Sequence, residues 1–389
     1  MTHAPALPVV PPEEAGLSPA GLERLSAALT ARIEAGHIPG AVALIARRGR
    51  IAYLRAFGRR DPAAAEPMRE DAIFRIYSMT KPIVSVAAMM LWEEGRFLLS
   101  DPVSKYIPEF AEVKLADGTA PRRAITIQDL LRHTSGLTYE FRGNGPVHQA
   151  YGAARIARRN QTNAEQAATL AGLPLLHEPG THWEYSRSTD VLGRVVEVIA
   201  GEALDRVLAT RVLGPLGMAD SGFFVPPEAL GRLAGGFPRD PETGAEVMLL
   251  DVREPPRFHS GGGGMVSTAT DYARFLAMLL DRGSFAGQRL LGRKTLELMT
   301  ADHLGGLPAA EDLLAPGHGF GLGFAVRMAA GMAPFPGSVG TYFWGGAAGT
   351  AFWVDPAEAM TAVLMIQAPG QREHYRLLFR DLAYAALAD

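Results

Sequence analysis

Cysteine is absent from the chain. Its absence excludes disulfides, thiolate nucleophiles and cysteine-held iron–sulfur clusters, and it agrees with a cytoplasmic location. Charge of one sign is also scarce, since 38 lysines and arginines face 41 aspartates and glutamates, a formal net charge of -3. No basic run offers a surface to nucleic acid, and no cationic amphipathic stretch offers one to a membrane. Long apolar runs are missing as well. The longest, residues 83–92, falls far short of the ~20 residues that span a bilayer. The amino terminus (MTHAPALPVVPPEE) has neither a charged opening nor a continuous apolar core, so no signal peptide is expected. The histidines are scattered without ligand spacing, which argues against a metal site. No Gly-x-Ser-x-Gly pentapeptide occurs, which argues against the nucleophile elbow of α/β-hydrolases.

What remains is a chain that is 48% hydrophobic, enough for a large core and two domains. Its most informative segment is Ser78-Met79-Thr80-Lys81, followed at once by the apolar stretch PIVSVAAMMLW. Residues i and i+3 share a helix face, so Lys81 can reach Ser78. A serine hydroxyl is a weak nucleophile at neutral pH and needs a base, and a lysine in an apolar cleft can serve. The start of a helix adds a positive field for a developing oxyanion. The apolar residues after Lys81 cover every face, which predicts a central, buried helix that ends near Gly95.

Along the chain, residues 18–36 read as a helix that Ser18 caps and Pro19 opens, with Leu22, Leu25, Leu29 and Ile33 as its apolar stripe. Residues 41–47 and 51–57 read as a hairpin around Arg48-Gly49-Arg50. Thr126 with Asp129 caps a helix expected to end near Ser135-Gly136, and Val191 to Ile199 mark another that Gly201 closes. Strand character returns at 322–326, 342–344, 350–354 and 361–366, before a closing helix over 375–387. The pattern predicts an α/β (α+β) fold: one antiparallel sheet built from both termini, flanked by helices, with an inserted helical domain. The expected boundaries are 14–78 with 265–389 for the sheet domain and 79–264 for the helical one. The substrate cleft is expected between the two.

Three further segments fit such a cleft. Tyr185, in Trp183-Glu184-Tyr185-Ser186-Arg187, can relay protons beside Ser78 or merely lid a helix start. Tyr342-Phe343-Trp344-Gly345-Gly346-Ala347 runs a strand into two glycines. That pattern marks either close backbone approach to a ligand or a simple bulge, and the Ala347 N–H could pair with that of Ser78 as an oxyanion hole. Ser260 to Gly264 lacks the pattern of a phosphate loop and reads as a flexible crossover that borders the cleft. His133 sits where a structural imidazole is expected.

The ordered set Ser78-x-x-Lys81, Tyr185-Ser186 and Trp344-Gly345-Gly346 resembles the serine β-lactamase and penicillin-binding superfamily. It looks most like the family VIII carboxylesterases related to class C β-lactamases. Leu130-Leu131-x-His133-Thr134-Ser135-Gly136-Leu137, Pro215-Leu216-Gly217-Met218 and Gly263-Gly264-Met265-Val266-Ser267-Thr268 extend the likeness from about residue 18 to about residue 384. The resemblance implies Ser78 as acyl acceptor, Lys81 and Tyr185 as its base system, and Ser78 and Ala347 N–H groups as the oxyanion hole. Trp344, Gly345 and Gly346 would line the substrate. No cofactor and no metal are implied, and the partner would be a small-molecule ester. The alternatives are β-lactamase or penicillin-binding-type amide hydrolysis, acyl transfer, and a non-catalytic binding protein. The sequence sets no oligomeric state. Two departures stand out. Trp344 replaces the lysine with which β-lactamases hold a substrate carboxylate, and Arg187 replaces the asparagine that closes the second motif, leaving it free to face solvent.

Overall fold

The computed structural model describes residues 6–63, 66–309 and 313–389. Residues 1–5, part of the stretch read above for a signal pattern, lie outside the described residues. At its centre is a seven-stranded sheet. Its strands are β1 (Gly40–Arg47), β2 (Arg50–Gly58), β3 (His318–Phe320), β4 (Ala325–Arg327), β5 (Tyr342–Gly345), β6 (Ala351–Asp355) and β7 (Met360–Ile366). They pair antiparallel in the order β2-β1-β7-β6-β5-β4-β3. The two ends of the chain therefore meet in the middle of the sheet, with Ala41 opposite Ile366 and Arg47 opposite Met360. β1 turns into β2 through Arg48 and Gly49, at φ 53 and 74. Two successive positive φ values suit the strand twist of a two-residue hairpin, and glycine bears its share without strain.

β1 is buried along its whole length because both of its faces are covered. Ala41, Ala43 and Ile45 join one core with helices α1 (Pro19–Glu34) and α6 (Arg372–Tyr384). Val42, Leu44 and Ala46 join another with α2 (Thr80–Glu93) and α5 (Ala269–Leu280). Successive side chains of a strand point to opposite faces, so a strand between two helical layers must be apolar throughout. α1 starts as its sequence dictates: Gly21 N donates to Ser18 Oγ at 3.2 Å, and Leu22, Leu25 and Leu29 are buried. The second helical layer continues through α3 (Ile127–Leu131) and α4 (Ser188–Ala200), with α4 packed against both α2 and α3. All seven strands of the sheet lie within 40–58 and 318–366, and α2, α3 and α4 lie between them. Among the described residues, no helix is long and apolar enough to cross a membrane.

Three elements differ from the sequence reading. The Thr126–Asp129 capping box forms, with Asp129 N donating to Thr126 Oγ1 at 3.2 Å and Thr126 N to Asp129 Oδ2 at 3.0 Å. The helix then stops at Leu131, well before Ser135. The Asp129 carboxylate also draws in the Thr134 hydroxyl at 2.8 Å, and His133 turns to φ 57, so the chain folds back over its own cap. The strand expected at 322–326 begins at Ala325, because Gly321 N donates to Phe324 O at 2.8 Å and closes a turn. β3 was not expected, since three residues around a glycine carry no periodic signal. The closing helix starts at Arg372 and ends at Tyr384, three residues earlier at each end than expected.

Candidate active site

Ser78 is carried by a 3₁₀ turn, Tyr77–Met79, that feeds directly into α2. Tyr77 has φ 43, a conformation that costs a non-glycine residue about 1–2 kcal/mol. Neighbours hold it there. Leu250 N donates to Tyr77 Oη at 2.8 Å, and Ile76 N donates to Met265 O at 3.0 Å. The kink leaves Ser78 half-buried above a helix whose next ten residues are buried almost without break.

Lys81, one turn on, is buried. Its Nζ lies 3.3 Å from Ser78 Oγ, 3.0 Å from Tyr139 Oη and 2.6 Å from the Gly262 carbonyl oxygen. All three partners are neutral oxygens. An ammonium can donate to all three, whereas a free amine can donate to Tyr139 and Gly262 and accept the Ser78 proton. The geometry thus fits Lys81 before and after proton transfer. The Tyr185 ring lies 4.4 Å from Lys81 Nζ, measured to its centroid. Trp344 Nε1 donates to Tyr185 Oη at 3.1 Å. Because an indole N–H can only donate, the phenol keeps its own proton for another partner. Trp183 and Trp344 pack on this phenol ring, and Phe320 packs on both indoles, with ring centroids 5.2–6.5 Å apart.

Strand β5 packs against the turn that bears Ser78. A Cβ on Gly346 would lie 2.3 Å from both Ile76 O and Thr350 Oγ1, and one on Gly345 would lie 2.6 Å from the Arg376 guanidinium. At both glycines the close neighbours shown are the protein's own Ile76, Thr350 and Arg376, where the sequence reading had a ligand or a simple bulge. Ala347 follows on an exposed turn, and among the described residues no group accepts from its N–H.

Two expectations are corrected. Arg187 does not face solvent. It is buried, its Nη2 donates to Glu140 Oε1 at 2.5 Å and its Nη1 to Asp190 Oδ2 at 3.3 Å, and its guanidinium lies 4.7 Å above the Tyr139 ring. Burial opposes its charge, but Asp190, Tyr139 and Glu140 outweigh that and hold its pKa above the ordinary arginine value. The 260–264 glycine run is likewise pinned and does not act as a loose crossover. Gly262 N and Ser260 Oγ donate to Asp190 Oδ1 at 2.9 and 2.6 Å, which fixes the Gly262 carbonyl on Lys81. Tyr139 and Asp190 were missed by the sequence reading. Burial, then the neighbouring Tyr185 and Asp190, push the Tyr139 phenol well above its ordinary range, so it remains neutral.

His133 is buried and bonded to the chain beside Tyr185, an environment in keeping with the structural reading. Ser186 N donates to its Nδ1 at 3.2 Å, which places the proton on Nε2 and anchors the residue after Tyr185. Burial, then the charge of Lys81, hold its pKa well below 6.5. The unfolded chain takes up this proton from about pH 6.5 down while the folded chain resists, so the unfolded state binds more protons. Stability should therefore fall below pH 6.5, by at most about 1.4 kcal/mol per pH unit from this group, until the folded pKa is reached. Urea unfolding between pH 7.5 and 5 should show a shallower loss for His133→Asn, which tolerates the positive φ. Identical slopes would remove His133 from the account.

A seven-stranded sheet between helical layers, with a Ser-x-x-Lys helix start opposite a glycine-bearing strand, is a mixed α/β architecture that matches the β-lactamase/transpeptidase-like fold. The Beta-lactamase family matches residues 25–386, and the chain belongs to that family. It is 39% identical to protein Rv1367c of Mycobacterium tuberculosis, over 86% of this chain and 87% of that one. It is 36% identical to Esterase EstB of Burkholderia gladioli, over 95% of this chain and 99% of that one. Among solved structures, EstCE1, described as a hydrolase with promiscuous acyltransferase activity, matches with TM-score 0.80 and 32% identity. That match covers 94% of this chain and 98% of that one.

Proposed function

We propose that the chain is a carboxylesterase of the family VIII type, acting through an acyl-enzyme on Ser78. The observation that carries this is the buried Lys81 amine 3.3 Å from Ser78 Oγ, whose hydrogen-bond partners among the described residues are three neutral oxygens. The names of EstB and EstCE1 support the ester reading. Ser78 Oγ attacks the carbonyl carbon as its proton passes to Lys81 or Tyr185. The two groups share that proton as a coupled pair. The oxyanion is held by the Ser78 and Ala347 N–H groups, in the cleft between the sheet part (14–78 and 265–389) and the helical part (79–264). The carbon–oxygen bond breaks and the alcohol leaves with the proton. Water then attacks the acyl carbon, its proton passing to Tyr185 as Tyr185 hands its own to the Lys81 amine, and the pair returns one proton to Ser78 Oγ as the acid leaves. Trp344 and the exposed Phe141, stacked on Tyr139 at 4.7 Å, give the acyl or alkyl group aromatic walls.

The same site should discriminate against β-lactams. Trp344 offers no cation and its only donor is engaged by Tyr185. A charge-assisted contact of the missing kind is worth about 1.5–3 kcal/mol, roughly ten- to hundred-fold in rate. Nitrocefin and p-nitrophenyl butyrate, assayed together with fluorophosphonate labelling of Ser78, test the reading. The ester's kcat/KM should exceed nitrocefin's by about 100-fold, and a ratio near one would make this a β-lactamase. Folded protein that resists the label would point to a non-catalytic binder.

EstCE1's description favours a second reading, in which an alcohol replaces water as the acyl acceptor. Ester exchange that outruns hydrolysis at modest alcohol concentration would establish it.

A further inference from the structure

Arg376, on α6, reaches through the open face of Gly345 to the turn that follows β5. Its Nη2 donates to the Gly346 carbonyl oxygen, and also to Thr350 O at 3.3 Å. Gly349 N gives the Gly346 oxygen a second donor at 3.0 Å. The carbonyl of Gly346 and the N–H of Ala347 belong to one planar trans peptide and point in opposite directions. Pinning the oxygen against α6 therefore aims the N–H away from α6, on the side where Gly346 packs against Ile76, two residues before Ser78.

We propose that Arg376 is a positioning residue for the oxyanion hole, fixing the Gly346–Ala347 peptide and polarising its N–H. A cationic donor on a peptide oxygen strengthens the donor at the other end of the same peptide, most of all in a low-dielectric setting. The arrangement is costly to maintain. Burial lowers the pKa of the guanidinium, and its Nε has no acceptor among the described residues. Its salt bridge to Glu373, at 2.8 Å, involves a carboxylate that is 65% exposed and offsets little of that cost. Gly345 follows from the same design, because any side chain there would displace the guanidinium.

The inference rests on the acyl-enzyme reading, and the test separates the two. Arg376→Ala, Arg376→Lys and the exposed control Arg372→Ala would be compared with wild type, each normalised to sites titrated by fluorophosphonate. A butylboronic acid, which forms a tetrahedral adduct on serine, probes oxyanion binding directly. Removing an oxyanion donor outright costs 10²–10³ in kcat, so losing its aim and polarisation should cost about 30-fold in R376A. KM should stay within about 2-fold, since the contact strengthens in the transition state. Boronate affinity should weaken by about the same 30-fold. R376K should recover part of both losses, and R372A should match wild type. Unchanged kcat and boronate affinity per titrated site, or a loss confined to KM or to the titratable fraction, would overturn the role of Arg376 alone. A wild type that neither labels at Ser78 nor binds boronate would overturn the acyl-enzyme reading, and this inference with it.

Discussion

Replacing Ser78 by alanine should lower kcat on p-nitrophenyl butyrate by about 10⁵-fold or more, with the melting temperature within about 2 °C of wild type. The two halves of this expectation have different origins. The turn under Ser78 is held by Tyr77, whose φ of 43 is secured by Leu250 N, and by Ile76 N on Met265 O. Among the described residues the serine hydroxyl itself meets only Lys81, at 3.3 Å. Alanine removes one half-exposed oxygen and leaves every support of the turn in place. The chemistry has no such redundancy, since without Oγ no covalent intermediate forms and only the oxyanion hole and binding remain to assist water. Steady-state turnover, checked against the fluorescence of a fluorophosphonate probe, reads the first half, and a thermal melt of the same samples reads the second. Retention of more than about 1% of wild-type kcat would mean that another nucleophile does the work.

The sequence made some parts of this site legible and hid others, and the division follows the range of the interactions. Ser78 and Lys81 are three residues apart, and helix periodicity alone brings them together. The hairpin, the Ser18 and Thr126 caps and the apolar stripe of α1 are equally local. That both ends of the chain share one sheet was readable because apolar runs of strand type cluster at those ends. Tyr139 and the Gly262 carbonyl were not readable. They meet Lys81 across 58 and 181 residues of chain, and neither lies in a periodic element. Arg187 was misjudged for the same reason. An arginine beside a helix start reads as solvated, and only the fold brings Glu140, Asp190 and the Tyr139 ring around it. The glycines of β5 stand between these cases. Their need for close approach was legible, but their partners, Arg376 and Ile76, lie about 30 and 270 residues away along the chain.

Lys81→Met should lower kcat by about 10²–10⁴-fold, the range of a lost general base. Methionine keeps the unbranched stem in a helix that is apolar on all sides and removes only the amino group with its donors. Tyr139 Oη and the Gly262 carbonyl each lose a partner. An unpaired buried carbonyl costs about 1–3 kcal/mol, which the removal of a buried polar amino group partly offsets. The fold should therefore survive with modestly lower stability. The informative comparison is with Tyr185→Phe, which leaves Lys81 and its three oxygens untouched but strands the Trp344 N–H. If Lys81 takes the serine proton, K81M should label with fluorophosphonate about as slowly as it turns over. Y185F should then label readily and stall as an acyl-enzyme, because the phenol activates the water. Rapid labelling of K81M with slow labelling of Y185F would exchange the two roles. Full turnover by K81M would detach the buried amine from the chemistry, and with it the observation on which the esterase reading rests.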